Sequence, residues 1–283
     1  MGRAHVEFVQ SQRLRWQDAL PAGVRDGAAA RILSADRDSG ACSLVLRYPP
    51  HWRQPGEQRL VADEELFVLD GELAIGAQRY TTHDYAYLPA GFARRGLAAG
   101  ARGAIVLTFF GARPAVDATL RDPEPLATGL VERLDVYAMP WIYADAHAQM
   151  RPGCGRKTLR QDPRTGDTTW LLTSPPHGTP PGGAGQRETH PTVEEVFVLI
   201  GDLHGNCGVM RPGAYFWRPP GIVHGPYGTR LGATSLYRTV GGPLVAEWTA
   251  DRTPFHFDPP YTPFLPPDLA LLPEPATLDA KPY

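Results

Sequence analysis

The chain has little of what marks several large classes of protein. Its 283 residues include only Cys42, Cys154 and Cys207, which are too few and too irregularly spaced for a disulfide framework or a thiolate zinc site. The net charge of -2 gives no electrostatic basis for binding nucleic acid or an anionic membrane. No apolar run approaches the roughly 20 residues that cross a bilayer, and residues 1–6 lack the apolar core of a signal peptide. We therefore expect a cytoplasmic protein.

Helical periodicity is also scarce. The 30 Gly and 30 Pro instead divide short runs that are rich in β-branched and aromatic residues, such as 42–48, 65–69, 104–110 and 195–200. Many short strands separated by turn residues are typical of sandwiches and barrels. The sequence therefore predicts an all-β fold.

Two ten-residue blocks, 64–73 and 194–203, are nearly the same and lie 130 positions apart. The same spacing aligns 84–91 with 214–221 without a gap. A repeat of this length has the size of a domain and is too long for a solenoid unit. We interpret the chain as an internal duplication of one barrel.

Upstream of these blocks the spacing changes, because residues 33–51 match 159–177 at an offset of 126. Four extra residues must then lie before the second block. They fall in the Gly/Pro-rich run 178–185, which its composition marks as a loop. The second repeat thus carries an insertion that the first repeat lacks.

We place the first barrel at residues 5–113 and the second at 132–250. The linker 114–131 leads into the second barrel, and a helical turn is expected around 126–134. Residues 251–283 hold nine prolines together with several aromatic residues. We expect this tail to be extended and to pack along a barrel or across a partner in a homodimer.

The second repeat contains a set of possible metal ligands. Glu188 and His190 are two residues apart and would share one face of a strand. Glu194 follows shortly afterwards, and His224 lies at a strand end after a Pro/Gly turn. Imidazole and carboxylate ligands suit Fe(II), Mn(II), Ni(II) or Zn(II). On spacing alone, the alternative is that these are unrelated surface residues.

The pattern around these residues resembles the two motifs of the cupin superfamily. The first motif is Gly, five residues, His-x-His, three or four residues, Glu, six residues and Gly; the second is Gly, five residues and Pro-x-Gly-x-x-His. At those spacings the chain has Gly182, Glu188, His190, Glu194 and Gly201, and then Gly213, Pro219, Gly221 and His224.

The resemblance covers both repeats, so the chain resembles an RmlC-like bicupin of the kind compared with the cupin part of anti-sigma factor ChrR. It implies two tandem double-stranded β-helix (jelly-roll) barrels. It also implies that one divalent metal ion is held inside the second barrel by the histidines and glutamates.

At one position the sequence departs from the family, because Glu188 stands where the first motif histidine is expected. If Glu188 is a ligand, the set has two imidazoles and two carboxylates, which favours Mn(II), Fe(II) or Zn(II). If Glu188 is not a ligand, His190, Glu194 and His224 form a facial triad of two imidazoles and one carboxylate. In a third interpretation the site has lost its metal and Glu188 only accepts hydrogen bonds.

The first repeat has Gln58, Leu60, Glu64 and Arg94 at the corresponding positions, a set that excludes a divalent metal site. We predict an ion pair between Glu64 and Arg94, because a guanidinium can replace the charge of the metal. The alternative is an anion pocket built from Gln58, Arg94 and Arg95.

Other residues of the second repeat receive simpler interpretations. His177 has His51 as its counterpart in the first repeat, so we assign both a structural role. His204 follows a turn and is expected to be exposed, and Tyr215 is expected in the core. The insertion at 178–185 is our candidate for a rim or lid of the pocket.

The leading functional hypothesis is a metal-dependent enzyme acting on a small organic molecule, with an Fe(II)-dependent dioxygenase as the first candidate. Glu188 would then be a fourth ligand or a general base. Mn²⁺, Zn²⁺ and Ni²⁺ are the alternative metals. The resemblance also includes isomerases, decarboxylases and lyases, and fold does not decide among them. The second hypothesis is a metal-containing small-molecule binding or sensor protein without turnover.

Overall fold

The computed structural model describes residues 2–143, 153–267, 269, 271–272 and 283. Strand accounts for 52% of the structure and helix for 3%, and the sheets are antiparallel, which confirms the predicted all-β class. The three cysteines are free thiols. Within the described ranges, no helix has both the length and the hydrophobicity needed to cross a membrane.

The chain folds as two units. The first consists of residues 1–3 and 14–139, and the second of residues 4–13 and 140–283. The sequence places the first barrel from residue 5 onward, whereas residues 4–13 belong to the second unit. The reason is that this segment forms a strand whose backbone pairs with a strand of the second unit.

The first unit is built on an eight-stranded sheet. In chain order, strands β1 to β9 are Val6–Gln10, Ala29–Ala35, Cys42–Tyr48, Arg53–Gln58, Glu64–Ile75, Gln78–Thr81, Asp84–Leu88, Arg94–Phe110 and Val131–Asp135. Strand β1 belongs to the second unit. The others run in the order β2-β3-β8-β5-β7-β9, with β4 paired to β8 and β6 paired to β5.

The second unit contains a seven-stranded sheet and two two-stranded sheets. Strands β10 to β19 are Ile142–Tyr143, Gly155–Gln161, Thr168–Ser174, Ala184–Thr189, Val193–Gly201, Leu203–Gly205, Gly208–Met210, Ala214–Arg218, Ala233–Val240 and Glu247–Pro254. The large sheet has the order β1-β17-β14-β18-β12-β11-β10. The small sheets pair β13 with β19 and β15 with β16.

The segment between the repeats contains one short α-helix, α1 (Pro125–Thr128). Gly129 ends it in the left-handed conformation at φ 67°. The following residues are not helical but form β9, which pairs with β7 of the first unit. The helical turn expected at 126–134 is therefore shorter than predicted, because the glycine stops it after one turn.

The central strands β5 and β14 each carry a glutamate at or near their start on the face that points into the core. Leu66 and Val68 belong to the buried cluster of the first unit, and Val196 and Val198 to that of the second. Residues two apart share a face, so Glu64 and Glu194 lie on these same apolar faces. Each buried leucine or valine contributes about 1.5–3 kcal/mol to folding. An acidic group on such a face must find a partner.

The described part of the tail lies along the second unit. Strand β19 pairs with β13, and the backbone of Phe264 exchanges two hydrogen bonds with Glu7. The hydroxyl of Tyr261 donates to the carbonyl oxygen of Phe8 at 2.9 Å. These contacts support packing of the tail along a barrel. Residues 268, 270 and 273–282 of the predicted tail lie outside the described residues, and the homodimer remains a prediction.

One glycine in each of the two similar blocks is required by the backbone. Gly71 and Gly201 have φ values of 80° and 81°. A Cβ atom on Gly71 would lie 2.2 Å from the carbonyl oxygen of Gly103, and one on Gly201 would lie 1.8 Å from that of Gly232. Only glycine fits both the left-handed conformation and the close approach of the neighbouring chain.

Gly71→Ala should therefore destabilise the first unit strongly. The left-handed conformation costs about 1–2 kcal/mol for an L-residue, and the collision with backbone adds about 1–3 kcal/mol. Gly76→Ala is the matched control, because Gly76 also has a positive φ, 61°, but no atom lies within 4 Å of its Cβ position. Thermal unfolding should give a clearly larger drop in midpoint for Gly71→Ala; equal drops would contradict the role of the close approach.

Candidate metal centre

Backbone hydrogen bonds hold the two motif segments of the second repeat together. Glu188 and His224 face each other in an isolated antiparallel bridge, with both N–H···O distances at 2.9 Å. Gly221 donates its N–H to the carbonyl oxygen of His190 at 2.9 Å. Gly221 has a φ of 83° in the turn that Pro219 and Pro220 begin. The Pro-x-Gly-x-x-His spacing thus brings His224 back beside the strand that carries the first motif.

The four predicted ligands meet at one place. Donor atoms of Glu188, His190 and His224 all lie within 4.8 Å of one another. The Oε2 atom of Glu194 is 3.3 Å from His224 Nε2 and 3.8 Å from His190 Nε2. His190, Glu194 and His224 are buried, whereas the side chain of Glu188 is 24% exposed. The alternative interpretation, in which these four residues are unrelated and lie at the surface, is therefore wrong.

The hydrogen bonds of the two histidines fix which nitrogen carries the proton. Nδ1 of His190 is 2.8 Å from the carbonyl oxygen of Val245, and Nδ1 of His224 is 2.9 Å from that of Ile222. Because a carbonyl oxygen only accepts, each Nδ1 must donate and each neutral ring keeps a lone pair on Nε2. This is the tautomer of a histidine that binds a metal through Nε2.

Both Nε2 atoms are buried and have no hydrogen-bond partner in the described part of the chain. A buried acceptor left in this state costs about 1–3 kcal/mol. Burial also lowers the pKa of His224 to about 4, with the nearby Arg218 acting in the same direction and Glu194 against it. The His224 ring is thus neutral near pH 7. The two buried Nε2 atoms, both near the carboxylate of Glu194, fit a site for a divalent cation.

Arg218 is a member of the site that the sequence interpretation missed. Its Nη1 donates to Glu194 Oε2 at 2.7 Å, and its Nε donates to Glu7 Oε2 at 2.8 Å. Its Nη2 also donates to Glu7 Oε1 and to the hydroxyl oxygen of Tyr227. The alignment of the two repeats could have indicated Arg218, because this charged residue aligns with the apolar Leu88 of the first repeat.

The charged groups of this network determine the ionisation of Glu194 and Glu7. Burial acts to raise the pKa of Glu194, but Arg218, His224 and His190 hold it below its usual value. For Glu7, burial is likewise outweighed by Arg218 and His5, and the pKa falls to about 2. Both carboxylates are therefore ionised near pH 7, and the guanidinium lies between them.

Comparison with known proteins places the chain in a family. A family model described as "Domain of unknown function (DUF4437)" matches residues 7–242. The chain belongs to this family. No curated protein matches the sequence.

Solved structures resemble this family member over most of its length. A "putative dioxygenase" from Nostoc punctiforme PCC 73102 has a TM-score of 0.74 at 20% identity, covering 90% of this chain and 92% of that one. Oxalate decarboxylase from Bacillus subtilis has a TM-score of 0.54 at 12% identity, covering 86% and 78%. Another structure of that enzyme, described with its Mn(II) centers, has a TM-score of 0.56 at 12% identity, covering 86% and 79%. At these identities the likeness shows the fold, which is the cupin fold that the sequence resemblance predicted.

In the first unit of this family member, the positions that align with the predicted ligands take part in buried ion pairs or lie in the core. Arg94 Nε donates to Glu64 Oε2 at 2.6 Å, which confirms the predicted ion pair. Arg25, which was not predicted, donates from Nη2 to both oxygens of Glu64 at 2.6 and 2.7 Å. The side chain of Gln58 accepts from Arg25 Nη1 at 2.9 Å, and Leu60 is fully buried.

The proposed anion pocket receives no support from these contacts. Arg94 is fully buried against Glu64, while Arg95 lies at the surface and pairs with Glu57 at 2.7 Å. The guanidinium groups of Arg94 and Arg95 are therefore engaged separately. Gln58 is held by Arg25 and does not complete a cationic pocket.

His204 is buried, so the prediction that it is exposed is wrong. Its Nε2 lies 2.9 Å from Asp202 Oδ2, and its Nδ1 accepts from the backbone N–H of Asp258 at 3.2 Å. The ring of Phe257 also packs against the imidazole in a T-shaped arrangement, with 5.0 Å between the ring centroids. The tail thus covers the turn that the sequence alone would leave at the surface. His204 lies outside the site and lines a surface cavity with Asp202 and Asp258.

Two other interpretations gain support. His51 and His177 both have a φ of 58°, so the two residues form the same left-handed turn, as a shared structural role requires. Tyr215 is fully buried and its hydroxyl donates to Glu195 at 2.7 Å, which agrees with a place in the core.

The insertion at 178–185 was predicted to be a loop but contains regular secondary structure. Pro181–Gly183 is a 3₁₀ helix, and β13 begins directly after it. The tail holds this turn, because Phe255 donates its N–H to Gly183 at 2.9 Å and Arg252 Nη2 donates to Pro181 at 2.7 Å. The role as a rim or lid stays a prediction.

Glu64→Gln should destabilise the first unit by about 3–5 kcal/mol near pH 7, because Arg25 and Arg94 would lose their shared buried carboxylate. Burial acts to raise the pKa of Glu64, yet the two arginines hold it below its ordinary value of 4.5. Its stabilisation is therefore complete above about pH 4.5 and is lost as the pH falls through the lower folded value. Thermal midpoints of wild type and variant should converge in acid.

Glu72→Gln is the matched control, since Glu72 is on the same strand and its pair with Arg79 is exposed. An exposed pair contributes about 0–1 kcal/mol, so its loss should hardly change the midpoint at any pH. Equal midpoint losses for the two variants, or a constant gap between wild type and Glu64→Gln down to acid pH, would contradict the buried ion pair as the cause.

Proposed function

We propose that the second unit holds one divalent metal ion between Glu188, His190, Glu194 and His224, and that the protein is a metal-dependent enzyme acting on a small organic molecule. The observation that carries the proposal is the pair of buried Nε2 atoms, each with its tautomer fixed by a carbonyl oxygen and without a hydrogen-bond partner among the described residues. Imidazole with carboxylate is a ligand set for Fe(II), Mn(II) or Zn(II).

Within this proposal Glu188 is a ligand. Its Oε1 is 3.9 Å from His224 Nε2, and its backbone is tied to that of His224 by two hydrogen bonds. A carboxylate brought this near by fixed backbone contacts needs only a small side-chain adjustment to share an ion with His224. This favours the set of two imidazoles and two carboxylates over the facial triad.

Aromatic side chains lie near one side of the site. The ring of Tyr227 is 6.0 Å from that of His224 and 6.4 Å from that of Phe8, and Arg218 stacks 3.5 Å above the ring of Phe216. Glu188 is the most exposed of the four ligands, so a substrate would approach from its side. There its carboxylate is placed to accept a proton from the substrate.

The metal, when bound, would supply Lewis-acid or redox chemistry to a substrate oxygen. We propose Fe(II) as the metal and dioxygenase chemistry as the reaction. The two-histidine set with carboxylate supports this choice, as does the fold likeness to the Nostoc protein, which carries the description of a dioxygenase.

Protein purified without oxygen should contain about one divalent metal ion per chain by elemental analysis, and should consume oxygen with a member of a panel of diketones, hydroxy acids and catechols. His190→Ala should lose both the metal and the oxygen uptake, because it removes one of two imidazole ligands. His256→Ala is the control, since His256 is an exposed histidine of the same unit outside the site.

The outcomes separate the functional classes. Wild type without metal above background would end the proposal. Stoichiometric metal without oxygen uptake or any product would support a metal-containing binding or sensor protein. Release of carbon dioxide without oxygen uptake would support a decarboxylase, the reaction named for the Bacillus subtilis relative.

Glu188→Gln should weaken Mn²⁺ binding by at least about tenfold, because even partners that only orient ligands change metal affinity by about 10–100-fold. Titration calorimetry on metal-free protein measures the dissociation constant. Glu247→Gln is the control, since Glu247 is an exposed glutamate on the strand that pairs with β13. Wild-type affinity in Glu188→Gln would instead favour the facial triad of His190, Glu194 and His224.

A further inference from the structure

The N-terminal strand carries an irregularity that turns a carboxylate inward. Strand β1 pairs with β17 so that Val6 lies opposite Trp217 and Val9 opposite Tyr215, which leaves one extra residue on β1. Phe8 has a φ of 53°, unusual for a residue with a side chain. A bulge of this kind redirects side chains, and all four residues from 6 to 9 are buried. Glu7 therefore points into the second unit.

The first unit provides an internal comparison. Strand β9 pairs with β7 with the same one-residue irregularity, and Glu132 occupies the position of Glu7. Glu132 is nevertheless exposed. On β7, Leu88 stands where β17 has Arg218. The glutamate at this strand position is therefore buried in the second unit, where the buried Arg218 pairs with it, and exposed in the first unit, which has no arginine at that position of β7.

Charge explains why the second unit needs Glu7. Arg218 is almost completely buried and donates to both Glu7 and Glu194. The acceptor oxygen on Glu194 is also the one 3.3 Å from His224 Nε2. A guanidinium this close to a metal position would repel the metal strongly, because the low dielectric of the interior magnifies the repulsion between two cations.

We infer that Glu7 is a positioning residue that cancels the charge of Arg218 and thereby sets the affinity of the second unit for a divalent metal ion, an inference that rests on the proposed metal centre. With Glu7 present, the carboxylates of Glu7, Glu188 and Glu194 and the guanidinium of Arg218 give a formal charge of -2. That charge matches a divalent cation. Arg218 can then hold Glu194 in place through one hydrogen bond without opposing the metal.

Glu7→Gln removes the charge and keeps the size of the side chain. Mn²⁺ binding to metal-free protein, measured by electron paramagnetic resonance of the free ion, should weaken by about 10–100-fold. Glu195→Gln is the matched control, because Glu195 is also buried in the second unit and bonded to Tyr215 and Arg238, but on the opposite face of β14. Glu195→Gln should lower the thermal midpoint and leave Mn²⁺ affinity unchanged.

The double variant Glu7→Gln with Arg218→Gln distinguishes charge from structure. Removing both members of the pair restores the formal charge of -2, so its affinity should return to within about tenfold of wild type. It also leaves neither partner of the pair as an unmatched buried charge. If Glu7→Gln alone does not fold, the double variant carries the test.

Wild-type affinity in Glu7→Gln would overturn the inference while leaving the metal centre intact. A double variant that binds Mn²⁺ more weakly than Glu7→Gln, or that folds and does not bind, would show that Glu7 acts through structure and not through charge. Wild type that binds no Mn²⁺ would overturn the proposed metal centre, and this inference with it.

Discussion

Each unit places an ionised glutamate at the start of its central strand, on the face that points into the core, and the rest of the site depends on how that charge is compensated. An unpaired carboxylate in the interior is too costly to keep, so a partner must be supplied. Glu64 receives two guanidinium groups, from Arg25 and Arg94. Glu194 receives one guanidinium group, from Arg218, and the carboxylate of Glu7 compensates much of the positive charge of that group. The second unit therefore keeps a negative excess where the first has a positive one.

Much of the site could be predicted because its contacts are encoded by short spacings. His190 is two residues from Glu188 and so shares its strand face, and His224 follows a Pro/Gly turn whose geometry is local. The pair between Glu64 and Arg94 was predictable for a related reason. The sequences of the two repeats align there without a gap, and the cationic Arg94 aligns with His224.

The parts that sequence did not predict come from distant segments. Glu7 and Arg218 are 211 positions apart, and no spacing rule relates them. Strand periodicity would also place neighbouring residues on opposite faces, whereas the bulge buries Glu7 and Phe8 together. Arg25 likewise comes from outside the aligned motifs. The burial of His204 depends on the tail, whose course over the turn is a tertiary property.

The differences between the two units are concerted, and this favours a cation as the reason for the histidines. Where the second unit has His190 and His224, the first has Leu60 and Arg94. The substitution removes two lone pairs and adds a permanent positive charge in the same place. If the lone pairs only needed hydrogen bonds, a polar donor beside each of them would satisfy both. An apolar group and a guanidinium at the corresponding positions agree with a first unit that binds no cation, because the charge on its glutamate must be balanced by side chains alone, and Leu88 stands where the second unit has Arg218.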